Sequence, residues 1–250
     1  MTTLKALIIA EKDRGESSKS ITVVTAEKGV IDVFVRGGRK STKTSSGTQL
    51  FSYSEICLDE KRNSRGITDY YLNSCQSIRI FYNIRLDAKK TALAAYFAEL
   101  LLYCRVESGG CDEVMRLALN TFYFLNEGEK DMELLKSVFE FRLLCEIGLM
   151  PDLIGCHSCL KYEDDKMYFS FKEHNLTCSD CYCGEDGDCG FDMDRTLLYI
   201  VRFIALTEFE RLFSFKISEK YQLKLTEFTE NYVGYNFKRN FPALEFYKII

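Results

Sequence analysis

Two cysteine pairs, Cys156-His-Ser-Cys159 and Cys178-Ser-Asp-Cys181, are separated by eighteen residues. No other feature constrains the chain as tightly. A CxxC segment forms a tight turn that aims two sulfurs at one point, and two such turns at this separation have the spacing of a structural zinc site. The intervening run Met167-Tyr168-Phe169-Ser170-Phe171 reads as a strand able to bring the turns together. Four thiolates complete a closed tetrahedral shell, and soft sulfur ligands favour zinc over magnesium or calcium. A closed shell leaves no position for a reactive water, so the expected role is structural, with one Zn2+ per chain. Unrelated free thiols would not need the paired spacing. A redox CxxC would need a thioredoxin-like βαβ context, which the flanking sequence lacks. The ligand set keeps alternatives. Cys183 can stand in for Cys181, Cys189 lies close by in a Gly-rich stretch, and His157 and His174 also carry ligand atoms, though both are expected to face solvent. Six cysteines in this segment also admit an iron–sulfur cluster, though the spacing fits zinc better.

The other cysteines, Cys57, Cys75, Cys104, Cys111 and Cys145, fall inside apolar or helical patterns and read as small buried residues. The opening Met1-Thr-Thr-Leu-Lys-Ala-Leu-Ile-Ile-Ala10 turns charged too soon for an export signal and reads as a buried strand. No apolar run approaches the roughly 20 residues that span a bilayer. A reducing cytoplasm is the expected compartment, so disulfides are not expected.

Charge is uneven along the chain. Residues 1–90 hold 16 Lys/Arg and 10 Asp/Glu, whereas the remainder holds 17 and 27. A basic first part and an acidic second part suggest different partners for each, although two ordinary solvated surfaces would look the same.

The first 80 residues carry β patterns at 7–10, 21–25, 30–36, 50–58 and 67–74, with Ile31, Val33 and Val35 on one face. Gly29 supplies a turn. Five short strands in this length suggest a small barrel or sandwich. The five-stranded OB-fold is one closed solution and often binds single strands. From about residue 85 the period becomes helical, over 87–104, 112–126 and 131–147, and again over 194–213 and, more weakly, 226–237. Asp112 is placed to cap the second of these helices, Gly128 to end it, and Gly148 with Pro151 to stop the third. The class is therefore α+β. A five-stranded OB-fold barrel domain over 1–80 precedes an α-helical domain over 81–250, with a four-cysteine zinc-binding insertion at about 151–190.

The order of parts then becomes informative. Leu143, Gly148, Pro151 and Leu153 lead into Cys156-x-x-Cys159 and Cys178-x-x-Cys181, Thr25-x-x-x-Gly29 precedes Gly37-x-Arg39-Lys40, and Tyr96-x-x-Glu99-Leu100 follows. This succession resembles the RecO family of bacterial DNA repair proteins over nearly the whole chain. The resemblance implies an N-terminal OB-fold, a helical domain and a zinc ribbon-like insertion. It implies binding of single- and double-stranded DNA and annealing of complementary strands. It also implies partnership with RecR and with single-strand-binding protein, which together load RecA onto coated strands. No nucleotide hydrolysis belongs to that family, so the chain is not expected to be an enzyme.

The residues themselves point the same way, less sharply. Arg36, Arg39, Lys40 and Lys43 lie on or beside a long polar loop with no Asp or Glu between Arg36 and Ser54. Their charges can neutralise phosphates and release counterions. Lys12, Arg14 and Lys19 are expected in a second barrel loop extending that track. Phe34, Phe51 and Tyr53 can serve as stacking platforms, or as barrel core, which their period-two placement favours. In the helical part, Arg116, Lys136, Arg142, Arg202 and Arg211 are basic candidates for a partner contact. The resemblance implies that the acidic, Phe-ending tail of single-strand-binding protein docks on this part. Arg142 falls on an otherwise apolar helix face, where a buried ion pair is an equal reading. Two rival functions remain. One is a zinc-ribbon interaction module without DNA. The other is a metal-dependent nuclease, disfavoured by the closed shell and by the lack of P-loop or HExxH patterns. The acidic stretch Glu185-Asp186-x-Asp188 reads as a solvated loop.

Overall fold

Alternating apolar side chains build the first five strands: β1 (Thr2–Arg14), β2 (Ser18–Thr25), β3 (Gly29–Val35), β4 (Ser52–Arg62) and β5 (Thr68–Ile80). The structure is a computed structural model that describes residues 1–37, 46–64, 66–106, 111–184 and 190–250. Antiparallel ladders join β1 to β2, β2 to β3, β1 to β4 and β4 to β5. A short parallel pairing, Val33↔Tyr70 and Phe34↔Tyr71, closes the barrel in the order β1-β2-β3-β5-β4. This is the strand order of the OB barrel, and closure removes the exposed edges. Leu4, Ala6, Ile8, Ile21, Val23, Val33, Val35, Ile56 and Leu58 fill the interior. The expected α+β architecture with a leading five-stranded barrel is thus observed.

The strands run longer than their apolar stretches. Lys12, Arg14 and Lys19, expected in a loop, lie on strands, because the β1–β2 ladder continues through Lys12↔Ser20, Asp13↔Lys19 and Arg14↔Ser18. Apart from Lys19, which is buried, the polar end of that hairpin is held by backbone pairing rather than by burial.

Six α-helices follow among the described residues: α1 (Ala88–Cys104), α2 (Asp112–Glu127), α3 (Met132–Leu144), α4 (Arg195–Leu206), α5 (Glu219–Phe237) and α6 (Pro242–Ile249). The chain divides into two compact units, Met1–Glu129 with Phe241–Ile250, and Lys130–Asn240.

In the first unit the Asp87 carboxylate caps α1 by accepting from the Lys90 N–H at 3.0 Å. Cys111, not Asp112, occupies the cap of α2, and Asp112 and Glu113 sit in its first turn, where the helix dipole favours them. Gly128, at φ 73°, ends α2 as expected. Helix α6 returns to α1. Phe241 meets Tyr96 edge-on at 5.6 Å, and the Ala243 N–H donates to the Glu99 carboxylate at 3.2 Å. Phe51, Phe81, Phe97 and Phe122 are buried together, with Phe122 touching the other three rings. Phe51 is therefore core.

One glycine makes the first unit possible. At Gly29, φ is +67°, and a Cβ would lie 2.0 Å from the Val106 carbonyl oxygen, which accepts the Val30 N–H at 3.0 Å. Backbone has no flexible end to move aside. Gly29→Ala should therefore destabilise this unit by about 2 kcal/mol, through left-handed strain and steric displacement. The lowered denaturation midpoint, with unchanged m-value, measures it.

In the second unit α3 is buried nearly all round, as a core helix is. Its end opens into a wider turn at Cys145–Leu149, which Gly148 closes at φ 88°. Helix α4 stops at Leu206, short of the expected Phe213, because Thr207 is extended. A three-stranded sheet, β7-β6-β8, is formed by β6 (Lys166–Ser170), β7 (Asn175–Cys178) and β8 (Phe191–Asp194).

Candidate metal centre

Each cysteine pair sits on a turn held by its own backbone. After Cys156 the chain folds back, the Leu160 N–H donating to the Cys156 carbonyl at 2.8 Å and the Cys156 N–H to that of Lys161 at 2.9 Å. Leu160 takes φ 62° in doing so. Gly155 passes so close that a Cβ there would meet the Lys161 oxygen at 2.9 Å. The second turn begins where β7 ends, and the Cys181 and Tyr182 N–H groups both donate to the Cys178 carbonyl. A single parallel bridge, Cys156↔Leu176, sets the two turns side by side.

The ligand atoms of Cys156, Cys159, Cys178 and Cys181 all lie within 4.8 Å of one another. The sulfurs of Cys159 and Cys178 are 3.6 Å apart. A tetrahedron with Zn–S bonds near 2.3 Å has edges of about 3.8 Å, so this thiol set has the size of a closed shell around one ion. Cys156 and Cys178 are buried, Cys181 is half-buried and Cys159 is exposed. Two of the alternatives, Cys183 and His157, lie outside this set. The Cys183 sulfur is outside the cluster, near the Cys181 carbonyl at 3.5 Å. His157 is exposed and outside it. His174 does not simply face solvent, because its Nδ1 is 2.9 Å from the Tyr232 hydroxyl. That hydroxyl donates its only proton to the Leu149 carbonyl at 2.7 Å, so Nδ1 of His174 carries the proton that joins the two. Cys189, and the acidic stretch 185–188, lie outside the described residues.

The electrostatics suit a cation. Burial works against ionising Cys156, but N–H groups of Cys178, Cys159 and Ser158 aimed at its sulfur win, bringing it down to about 6. Hydrogen bonding with the Cys159 and Cys178 sulfurs pushes Cys181 up to about 12, and Cys159 is also raised. The metal-free cluster therefore favours negative charge on Cys156 and keeps protons on Cys159 and Cys181. A metal must displace those protons. The sign follows. Because the pKa of Cys156 is depressed from 9.0 to about 6, its thiolate stabilises the metal-free fold fully above about pH 9, and this is lost as pH falls through 6. Metal binding at pH 7 should release two or more protons, read from calorimetric heats in buffers of different ionisation enthalpy.

Residues that sequence spacing did not single out brace the cluster. Asp164 accepts from the Ser179 hydroxyl at 2.7 Å and the Ser179 N–H at 3.3 Å, and pairs with Lys161 at 3.1 Å. The Ser179 bond first, then Lys161, draws its carboxyl down to about 2. It thereby ties the segment after the first pair to the residue inside the second. Asp164 and Asp180 also lie near the Cys178 sulfur, but that set shares Cys178 and is not a separate centre. Arg202, on α4, donates to the carbonyls of Leu153 at 2.8 Å, Ile154 at 3.0 Å and Tyr162 at 2.8 Å, and lies 4.1 Å from the Tyr162 ring centre. It clamps both flanks of the first turn. Arg142 donates to the carbonyls of Ile204, Ala205 and Thr207, capping the end of α4, and pairs with Glu146 at 2.5 Å. Both arginines are buried and engaged within their own unit. Arg116 is exposed on α2.

On the barrel, Lys12, Arg14 and Arg36 are exposed. Lys19 is buried, with its ammonium on the Thr48 carbonyl at 2.7 Å and Glu11 at 2.9 Å. Arg39, Lys40 and Lys43 lie outside the described residues. Phe34 points away from the core, and Tyr53 is half-buried, its hydroxyl pushed up first by burial and then by Glu27. Of the scattered cysteines only Cys111 is fully buried. Burial nonetheless pushes Cys104 and Cys145 up to about 12.

Comparison with known proteins covers both units. The family model described as Recombination protein O N terminal matches residues 1–81, and Recombination protein O C terminal matches residues 85–245. A DNA repair protein RecO from Acetivibrio thermocellus is 29% identical over 245 residues, covering 98% of this chain and 95% of its own. Those from Alkaliphilus metalliredigens and Caldicellulosiruptor saccharolyticus are 27% and 25% identical, again over 98% of this chain and 98% and 97% of theirs. Among the described residues no helix is long and apolar enough to cross a membrane.

Proposed function

Because the chain belongs to the RecO family of DNA repair and recombination proteins, we propose that it binds single- and double-stranded DNA on its barrel and anneals complementary strands. With RecR it helps load RecA onto DNA coated by single-strand-binding protein, and it works in the cytoplasm, at the nucleoid, without catalysing a reaction. The observation that carries this reading is the closed five-stranded barrel bearing Arg36, Lys12 and Arg14 at its surface, in a chain whose two halves match that family's two models. Arg39, Lys40 and Lys43 continue the cationic track in sequence. Lys19 stands apart, since its ammonium is held by Thr48 and Glu11. Phosphate contacts of this kind are sequence-tolerant and weaken steeply with salt.

The four-cysteine cluster holds one structural zinc ion in this reading, supported by sulfur-only ligands and shell size. The ion would hold the two turns together and supply no reactive position. Arg116 and Arg211 are the exposed members of the basic set proposed to meet the acidic tail of single-strand-binding protein, while Lys136, Arg142 and Arg202 are buried.

The decisive experiment is annealing of complementary strands, each coated with single-strand-binding protein, with and without the chain. Acceleration supports the reading, and its absence, together with no salt-sensitive DNA binding, would leave a zinc-containing interaction module. Reversing charge at Arg39 and Lys40 together should weaken DNA binding and flatten the plot of log K against log salt by about 1 to 2 units, with the unfolding midpoint unchanged. An unaltered slope would remove that loop from the track.

A further inference from the structure

We infer that Phe34 and Tyr71 form a stacking platform for an unpaired base of single-stranded DNA on the outer wall of the barrel. This rests on the DNA-binding reading above and assigns it a position that basic residues alone do not supply. The strands make the platform by alternation. Val33 and Val35 of β3 point into the core, as do Tyr70 and Leu72 of β5, so Phe34 and Tyr71 face outward. The parallel register that closes the barrel sets them opposite each other, Phe34↔Tyr71, with ring centres 5.8 Å apart and planes at 76°. Both rings remain only half-buried.

Two cations from different strands rim the pair. The Arg36 guanidinium, just beyond β3, is 5.4 Å from the Tyr71 ring centre, and the Lys61 ammonium, on β4, is 5.3 Å from it. Contacts of exposed cations with a ring are weaker than stacking of a base on it. The arginine and lysine side chains are long enough to swing off the ring as a base arrives and to meet the phosphates on either side of it. The acids nearby do not close the site. Asp32 is engaged by the Thr22 hydroxyl at 2.6 Å and Arg105 at 2.7 Å, whereas Asp59, directly opposite Tyr71 in the ladder, shares its outer face, so Arg36 and Lys61 together must outweigh one carboxylate to serve as the phosphate contacts. A base within a duplex is already paired and stacked. The platform therefore favours single strands, whereas phosphate contacts serve both forms.

The test uses the full chain, a thymidine oligonucleotide carrying one 5-iodouracil, and a duplex of equal length. Irradiation of the wild-type complex should crosslink the probe at Phe34 or Tyr71, mapped by mass spectrometry. Tyr71→Leu should bind the single strand about tenfold more weakly, bind the duplex within about twofold of wild type, and keep the same salt slope. Tyr71→Phe should bind as wild type does. Equal losses on both DNA forms, or full single-strand affinity in Tyr71→Leu with crosslinks elsewhere, overturns the platform while leaving DNA binding intact. Failure of wild type to bind either DNA overturns the underlying reading as well. Should Tyr71→Leu not fold, the wild-type crosslink decides alone.

Discussion

In the proposed zinc centre, replacing Cys178 with serine should abolish metal binding and unravel residues 151–184 while the barrel stays folded. Cys178 is buried, ends β7 opposite Met167 of β6, and lies 3.6 Å from the Cys159 sulfur. It therefore belongs both to the sheet and to the ligand shell. Structural zinc contributes apparent binding free energies of about 10–16 kcal/mol in small zinc-folded peptides, and a serine hydroxyl is a much poorer ligand than a thiolate. Removal leaves the Cys156 thiolate buried without its cation, while Asp164 and Arg202 still pull on the two turns. Zinc content should fall below one per chain, and hydrogen exchange should quicken in 151–184 but not in β1–β5. Cys159→Ser should act in the same direction more weakly, because Cys159 is exposed. Full zinc retention in the Cys178 variant would mean that another sulfur, Cys183 or Cys189, completes the shell.

The convergence of the four cysteines was legible because a CxxC pair encodes its own turn, so spacing alone predicts it. Their braces were not. Asp164 acts on Ser179, fifteen residues away, and Arg202 acts on backbone carbonyls forty or more residues away, and carbonyls leave no mark in a sequence. The barrel was legible for a similar reason: inward positions such as Ile21, Val23, Val33 and Val35 alternate strictly. The ends of its strands were not, since Glu11-Lys12-Asp13-Arg14 is paired yet exposed and carries no apolar signal. Short elements failed likewise. Strands β7 and β8 have four residues each, and α6 has eight, too few to show a period. Arg142 was conspicuous as a charge on an apolar face, and its partners proved to be the last carbonyls of α4 together with Glu146. Tyr71 escaped notice because its neighbours Tyr70 and Leu72 read as one undivided strand. Only the parallel pairing with β3 reveals which face it shares with Phe34.

A charge buried in α3 should produce the second large effect. The Lys136 side chain is 1% exposed, and its ammonium lies 2.8 Å from Glu230, 3.5 Å from Glu140 and 3.9 Å from Glu133. Glu140 is itself fully buried and accepts the Thr229 hydroxyl at 2.6 Å. The cluster ties α3 to α5 at the centre of the second unit. Lys136→Ala removes the cation from beside the fully buried Glu140 carboxylate, which should destabilise this unit by about 3–5 kcal/mol. The double variant Lys136→Met, Glu140→Leu removes both charges and fills the space with apolar atoms, so most of that loss should return. The pH dependence distinguishes this ion pair from simple packing. Burial disfavours the ammonium, but the carboxylates of Glu140 and Glu230 outweigh it, so the Lys136 pKa is raised above 10.5. A raised pKa means the contribution is complete below about pH 10.5 and is lost as pH climbs through the folded value. The stability gap between wild type and Lys136→Met should therefore be level from neutral pH to about pH 10 and narrow above it. A gap that stayed constant into strong alkali would reduce Lys136 to a space-filling chain, its charge irrelevant to the join between α3 and α5.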